Sequence, residues 1–247
     1  MTSCAISSEM FLALNCAEER MQVVLGSPQQ LLFSEEILCP GQSIRHLHTS
    51  IERGLRLANV RVKDLAGIAC VRGPGSFTGL RISHASMYGL ARPFSIPMAG
   101  LEYPSLLAAQ IAPLLPDEVW VLTHARKAQV YVQGFDGRGP LTGIQPLPLS
   151  KVGDLLTSRS GAVHLLGSGL RRNQALLDLP KARILPPCFD TPMPALLLGL
   201  ACRAHYSVHP PHPLYLRKSD AEDNLESIAR SRGISPDEAR QNIFDFE

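Results

Sequence analysis

Apolar residues fall into two rhythms along this chain. Phe11–Asn15, Met21–Leu25 and Leu31–Ile37 are short unbroken runs, with Gly26-Ser-Pro28 as a turn between the last two. They predict three strands in an antiparallel meander. Past Cys39 the period changes. Ile44, Leu47, Ile51 and Leu55 recur at spacings of three and four, one face of a helix, with Gly41 and Ser43 ahead of it as stop and cap. Leu65–Val71 predicts a buried strand, Phe77–Ala91 a second helix, Ile96-Pro-Met98 a short extended piece, and Glu102–Ile111 another helix.

The same order then returns more faintly. Val119–Thr123, Val130–Phe135 and Ile144–Leu149 predict strands, with Asp136-Gly-Arg-Gly139 as a loop. A short helix follows at Val152–Thr157, then a strand at Val163–Leu166 ending in Gly167-Ser-Gly169, and a helix at Leu196–His205. Three strands, helix, strand, helix twice over, with a break near Pro113–Pro116, predicts an α/β protein of two related lobes, residues 1–112 and 113–218. Residues 219–247 differ in character. Ser219-Asp-Ala-Glu222 and Ser235-Pro-Asp-Glu238 each have the Ser-x-x-Glu capping form, Pro236 suits a first helical position, and Gly233 a helix end. They predict a tail of two short helices. Met1–Glu9 is polar and expected to fray.

Composition narrows the function classes. A chain of 247 residues, 45% hydrophobic and 19% charged, can bury a core and is neither fibrous nor disordered. The formal net charge of +2 hides an asymmetry: Ser219 to the end carries −5, and the rest +7. One tryptophan and 6% aromatic residues argue against a free-standing RNA-binding module, which needs basic and aromatic side chains interleaved. Met10–Ala17 lacks a basic flank and runs into Glu18-Glu19-Arg20, so it reads as a strand and not a leader. The longest apolar stretch, around Ala195–Cys202, is short of the roughly 20 residues of a membrane span. Six scattered cysteines form no C-x-x-C pair, and a reduced, cytoplasmic protein is expected.

The densest chemistry lies at the strand-to-helix junction Arg72, Gly73, Pro74, Gly75, Ser76, Phe77, Thr78, Gly79, Leu80 and Arg81. Gly73 and Gly75 allow a tight turn, Ser76 is a helix-cap candidate, and the amides at the helix start suit an anion. No Gly-Lys-Ser/Thr follows, so it is not a P-loop. Pro74 stands at the first glycine position of Gly-x-Ser-x-Gly, so it is not a nucleophile elbow. Along the helix, Gly79, Ser83 and Ser86 make a strip of small residues, with Ala85 and Gly89 nearby. A helix can approach such a strip closely, whether the 44–57 helix of the same chain or one from another subunit.

This ten-residue motif closely resembles the signature of the bacterial TsaB (YeaZ) family. Weaker supporting segments follow in order: Ala125-Arg126 with Val130-Tyr131, Gly167-Ser-Gly169, and Pro213-Leu-Tyr-Leu-Arg217. The likeness runs through most of residues 10–220. It implies an actin/Hsp70/sugar-kinase fold of two ribonuclease-H-like lobes. It also implies a non-catalytic role in making N6-threonylcarbamoyladenosine (t6A) at the tRNA adenosine next to the anticodon. In this family the subunit pairs with a glycoprotease-like paralogue, TsaD, which holds the metal and transfers the threonylcarbamoyl group. An ATPase, TsaE, binds the pair. Pairing uses first-lobe helices, here Ser43–Leu57 and Phe77–Ala91. The expected partner-binding residues are therefore Ile44, Leu47, His48, Ile51, Gly79, Ser83, Ser86 and Met87, and a charge at Ile51 or Ser83 is expected to break pairing. The resemblance implies no cofactor in the isolated chain, ATP being used elsewhere in the complex, and tRNA contact only through the assembly. It leaves a homodimer open for the chain alone.

Two departures bear on chemistry. The family opens with Asp-Thr-Ser at the nucleotide-phosphate turn, where this chain has Asn15-Cys-Ala17. It has Asp before Ala-Arg, where this chain has His124. Both acids are lost, which counts against the alternative of an active, kinase-like ATP-dependent enzyme of the same fold. No catalytic or metal site is expected. No histidine lies between Ala85 and Thr123, where the paralogue keeps its metal pair, and His46 and His48 diverge by about 200° on a helix.

Overall fold

The computed structural model describes residues 9–216 and Ser235. The fraying expected over residues 1–8 and the two helices expected over 219–247, Ser235 apart, lie outside the described residues. Strands β1 (Met10–Asn15), β2 (Arg20–Gly26) and β3 (Leu31–Leu38) form the meander. β1 and β2 are covered on both faces, which is why their sequences run apolar without alternation. β3 is the edge: Leu31, Phe33, Glu35 and Ile37 are partly buried, and the residues between them are exposed.

Helix α1 (Ser43–Leu57) leads to β4 (Leu65–Gly73), which lies parallel to β1. Helix α2 (Phe77–Ala91) leads to β5 (Met98–Glu102), parallel to β4, and then to α3 (Tyr103–Ala108). The sheet order is β3-β2-β1-β4-β5. The second half repeats the plan with β6 (Glu118–Arg126), β7 (Gln129–Asp136), β8 (Gly139–Pro140), β9 (Gln145–Pro148), α4 (Leu149–Thr157), β10 (Val163–Leu166), α5 (Ser168–Arg171), β11 (Ala182–Ile184) and α6 (Pro194–Cys202). Its order is β11-β10-β6-β7-β8, with β9 also on β7. In each sheet a meander precedes parallel strands, so the duplication seen in the sequence is real in space. The 102–111 helix is shorter than expected. β8, α5 and β11 were not anticipated, being two, four and three residues long.

The core has three parts. On the outer face of the first sheet, Leu12, Leu14, Ile68 and Cys70 meet Leu47, Ile51 and Leu55 of α1 and Met87 of α2. Between the sheets, Phe11, Ala13, Val24 and Val71 meet Leu106 and Leu107 of α3, Leu197 and Leu198 of α6, and Val119, Val121 and Phe135 of the second sheet. Beyond the second sheet, Trp120, Leu122 and Val132 pack with Val152 and Leu156 of α4. Each buried Val, Leu, Ile, Phe or Met side chain here contributes about 1.5–3 kcal/mol.

After α6 the chain returns to the first sheet. Ser207 and Met98 exchange backbone hydrogen bonds of 2.7 and 2.9 Å, the Tyr206 ring lies 5.5 Å from that of Phe11, and the Leu214 amide donates to the Arg72 carbonyl at 2.6 Å. Residues 205–214 thus form a strap along the free edge of β5. Among the described residues no helix is long and apolar enough to cross a membrane.

Candidate functional site

The glycine motif bends β4 into α2. Gly73 has φ +120° and precedes a cis peptide to Pro74. The Ser76 side chain caps α2 by accepting from the Gly79 amide at 3.2 Å, as its position predicted. The Ser76 amide donates to the carbonyl of Ala17 at 2.6 Å. A Cβ at Gly75 would stand 2.2 Å from that same carbonyl oxygen, and one at Gly79 would stand 2.0 Å from the Cys16 carbonyl oxygen. The glycines therefore let the start of α2 rest directly on the turn between β1 and β2. The amides of Ser76 and Gly79 are spent on this contact and on the cap. Arg72 pairs with Glu102, and the Arg81 guanidinium stacks on Phe77 at 3.8 Å from the ring centroid.

Burial corrects the expected partner face. Leu47, Ile51 and Met87 belong to the chain's own core, Gly79 is pressed on Cys16, and Ser83 and Ser86 are buried. The Ser83 hydroxyl donates to the Leu80 carbonyl at 3.0 Å, and that of Ser86 to the Ile82 carbonyl at 2.8 Å. Of the eight residues, only Ile44 and His48 stand exposed, Ile44 at 63%. The buried stripe of α1 starts at Ser43 and runs through Leu47, Ser50, Ile51, Gly54 and Leu55. Ile44, one residue or about 100° further round, is turned onto the flank. The small strip on α2 faces inward as well. His48 Nε2 lies 3.3 Å from Ser86 Oγ and ties the two helices together. Outward from this pair face Ile44, His48 and Tyr88, the last 43% exposed.

The third place of interest lies between the lobes. Asn15, where the resemblance puts a carboxylate, points at its own scaffold. Its Nδ2 donates to Gln22 Oε1 at 2.7 Å, and its Oδ1 accepts from the Ala17 amide at 3.0 Å. Gln22 in turn donates across to the Pro192 carbonyl at 2.7 Å. Beside it sits Glu18, which the sequence reading passed over. The Ser168 hydroxyl of the second lobe donates to Glu18, and Ser168 itself accepts from the His124 amide at 2.9 Å. The Tyr103 hydroxyl lies 3.4 Å from the other Glu18 oxygen and 3.2 Å from the Asp190 carbonyl. Asp190 holds the Gly167 amide at 2.6 Å and Arg171 at 2.6 Å, and Arg172 pairs with Glu19 at 2.6 Å. Burial pushes the Glu18 carboxyl up to about 7, against the Ser168 hydrogen bond and Arg172, which pull it down. Glu18 is joined across to Ser168, and Asn15, committed to Gln22 and Ala17, offers no charge to a metal. Among the described residues no group of three His, Cys, Asp or Glu side chains is placed to hold a metal ion.

Two lobes of one plan, each a meander followed by parallel strands, with a turn from each meeting between them, give the chain a fold of the actin/Hsp70/sugar-kinase type. A family model described as "TsaD: tRNA N6-adenosine threonylcarbamoyltransferase" matches residues 40–146. The tRNA threonylcarbamoyladenosine biosynthesis protein TsaB of Escherichia coli (strain K12) is 27% identical over 226 residues, covering 87% of this chain and 97% of that protein. The protein of the same name from Buchnera aphidicola subsp. Schizaphis graminum (strain Sg) is 27% identical over 125 residues, covering 50% of this chain and 59% of that one. Among solved structures, YeaZ from Pseudomonas aeruginosa superimposes with a TM-score of 0.66 at 21% identity, over 94% of this chain and 97% of that one, a likeness of fold. The chain is thus similar to the TsaB (YeaZ) proteins along most of its length.

Proposed function

We propose that this chain takes part in t6A biosynthesis as a non-catalytic subunit that binds and supports a TsaD-like threonylcarbamoyltransferase in the cytoplasm. The TsaB relatives carry that pathway in their name, and the family model matched over residues 40–146 is that of the transferase itself, as expected of a paralogous pair. The observation that carries the supporting role is the state of the interlobe turn. Asn15 is committed to Gln22 and Ala17, and Glu18 is bonded across to Ser168, so neither is set to receive a nucleotide and its metal. ATP use, and binding by TsaE, then belong to the assembly, as does contact with tRNA. The kinase-like alternative has no acid at either of the positions where the resemblance asks for one.

The partner face we assign is the outer side of α1 and α2, centred on Ile44, His48 and Tyr88. The test is light scattering after gel filtration, with this chain mixed with the TsaD paralogue from the same organism. A defined complex is expected, lost for Ile44→Asp with folding intact, because an unpaired charge would be desolvated at the contact. Ile51→Asp and Ser83→Glu are unsuited to the purpose, since both sites are buried and a charge there unfolds the chain. No complex between the two folded wild-type proteins would overturn the proposal.

A further inference from the structure

Glu18 occupies an unusual station, one carboxyl group placed between hydrogen-bonding partners from both lobes. We propose that Glu18 acts as a protonated link between the lobes, a latch that weakens when the proton is lost. The count of hydrogens carries this. Ser168 Oγ accepts from the His124 amide at 2.9 Å, so its own hydrogen is directed to Glu18 Oε1. Glu18 Oε2 faces the Tyr103 hydroxyl at 3.4 Å, but that hydroxyl has one hydrogen and a nearer acceptor, the Asp190 carbonyl at 3.2 Å. With Glu18 ionised, two acceptors compete for one hydrogen. With Glu18 protonated on Oε2, the acid donates to Tyr103 and Tyr103 donates to Asp190. The chain of bonds then runs unbroken from His124 through Ser168, Glu18 and Tyr103 to Asp190, from the second lobe into the first and back.

The charges around it do little to hold a carboxylate. From the α5 segment, Arg172 faces Glu18 but is bonded to Glu19 at 2.6 Å, and Arg171 is bonded to Asp190. From the turn before α6, the Asp190 carboxylate adds like charge. From β2, Arg20 lies 3.9 Å from Glu36. From β6, His124 contributes its amide, and from α3, Tyr103 is itself pushed upward by burial and by Glu18.

The direction with pH follows. The carboxyl is held at about 7 when the lobes are closed and returns toward the ordinary 4.5 when they part, so opening releases a proton between those values. Opening is therefore rarest in acid, becomes easier as pH rises, and levels off above about 7. From pH 6 to pH 8 the opening equilibrium should rise about tenfold.

The test is hydrogen exchange on the full chain at both pH values, corrected for intrinsic rates, reading peptides over residues 11–26 and 163–176. The tenfold rise is expected in the wild type. It should vanish in Glu18→Gln, whose amide can accept from Ser168 and donate to Tyr103 without titrating. A flat wild type, or the same rise in Glu18→Gln, overturns the proposal. A readout free of any variant is the carbon NMR titration of the glutamate carboxyls. One group titrating near 7 is expected, and all of them titrating in the ordinary range would refute the latch.

Discussion

Replacing Gly79 by alanine tests whether the glycine motif is a packing device. The new methyl carbon would lie 2.0 Å from the carbonyl oxygen of Cys16, a backbone atom. Relief needs a shift of more than about 1 Å, and the turn is held in place by the 2.6 Å bond from the Ser76 amide to Ala17. Overpacking of this kind costs about 1–3 kcal/mol, and the strained hydrogen bond about 1 more. Alanine's better helix propensity returns about 1 kcal/mol. The net loss should be about 1–3 kcal/mol, which lowers the melting temperature by roughly 2–12 °C in a chain of this size. Gly89 is the internal control: it lies in the same helix, and its Cβ would meet nothing within 4 Å. Gly89→Ala should therefore stabilise by about 0.5–1 kcal/mol. Urea unfolding of the two variants beside wild type gives both numbers. If Gly79→Ala unfolds at the wild-type midpoint, or rises with Gly89→Ala, the contact with Cys16 is not what the glycine is for.

Two further outcomes are open to direct measurement. The Arg159 guanidinium, 2.6 and 2.9 Å from Glu118, holds that carboxyl below its ordinary 4.5, so the pair stabilises above that value and the contribution is lost as pH falls through the lower, folded one; Arg159→Gln should flatten the fall in melting temperature between about pH 6 and 3, and an unchanged slope would dismiss the pair. Burial pushes the Cys16 thiol up to about 12 and raises that of Cys70 too, whereas Cys188 is exposed. In a background with Cys4→Ser and the partly buried Cys202→Ser, a disulfide reagent should modify Cys188 at once and Cys16 and Cys70 only on unfolding, and rapid native labelling that survives Cys188→Ser would contradict this burial.

What the sequence revealed depended on the range of the forces involved. Strands β1 and β2 were legible because a doubly covered strand must be apolar throughout, and α1 because burial on one face imposes a period. The same period misled at Ile44, which fits the spacing of three but lies just past the edge of the stripe that Ser43 begins. The small residues of α2 did signal close approach. What approaches at Gly79 is the chain's own backbone at Cys16, a contact between segments some sixty residues apart that no local pattern encodes. Glu18 was missed for the same reason. Its partners Tyr103 and Ser168 are 85 and 150 positions away, and a glutamate after an apolar strand reads as a solvated turn. Strand β11 offers three residues, Ala182, Arg183 and Ile184, too few for either rhythm.

The return of the chain after α6 bears on how it is made. The inner face of the first sheet, with Phe11, Ala13 and Val24, is covered by Leu197 and Leu198, and the edge of β5 is bonded to Ser207. A ribosome delivers those strands first and their cover last. At ordinary elongation rates, the residues between Glu102 and Pro194 take roughly 5–20 s to appear. Throughout that interval the part of the inner face that α6 covers, and the edge of β5, stand in water. The oldest part of the nascent chain is thus the last to be sealed, and any truncation ahead of residue 194 leaves it open for good.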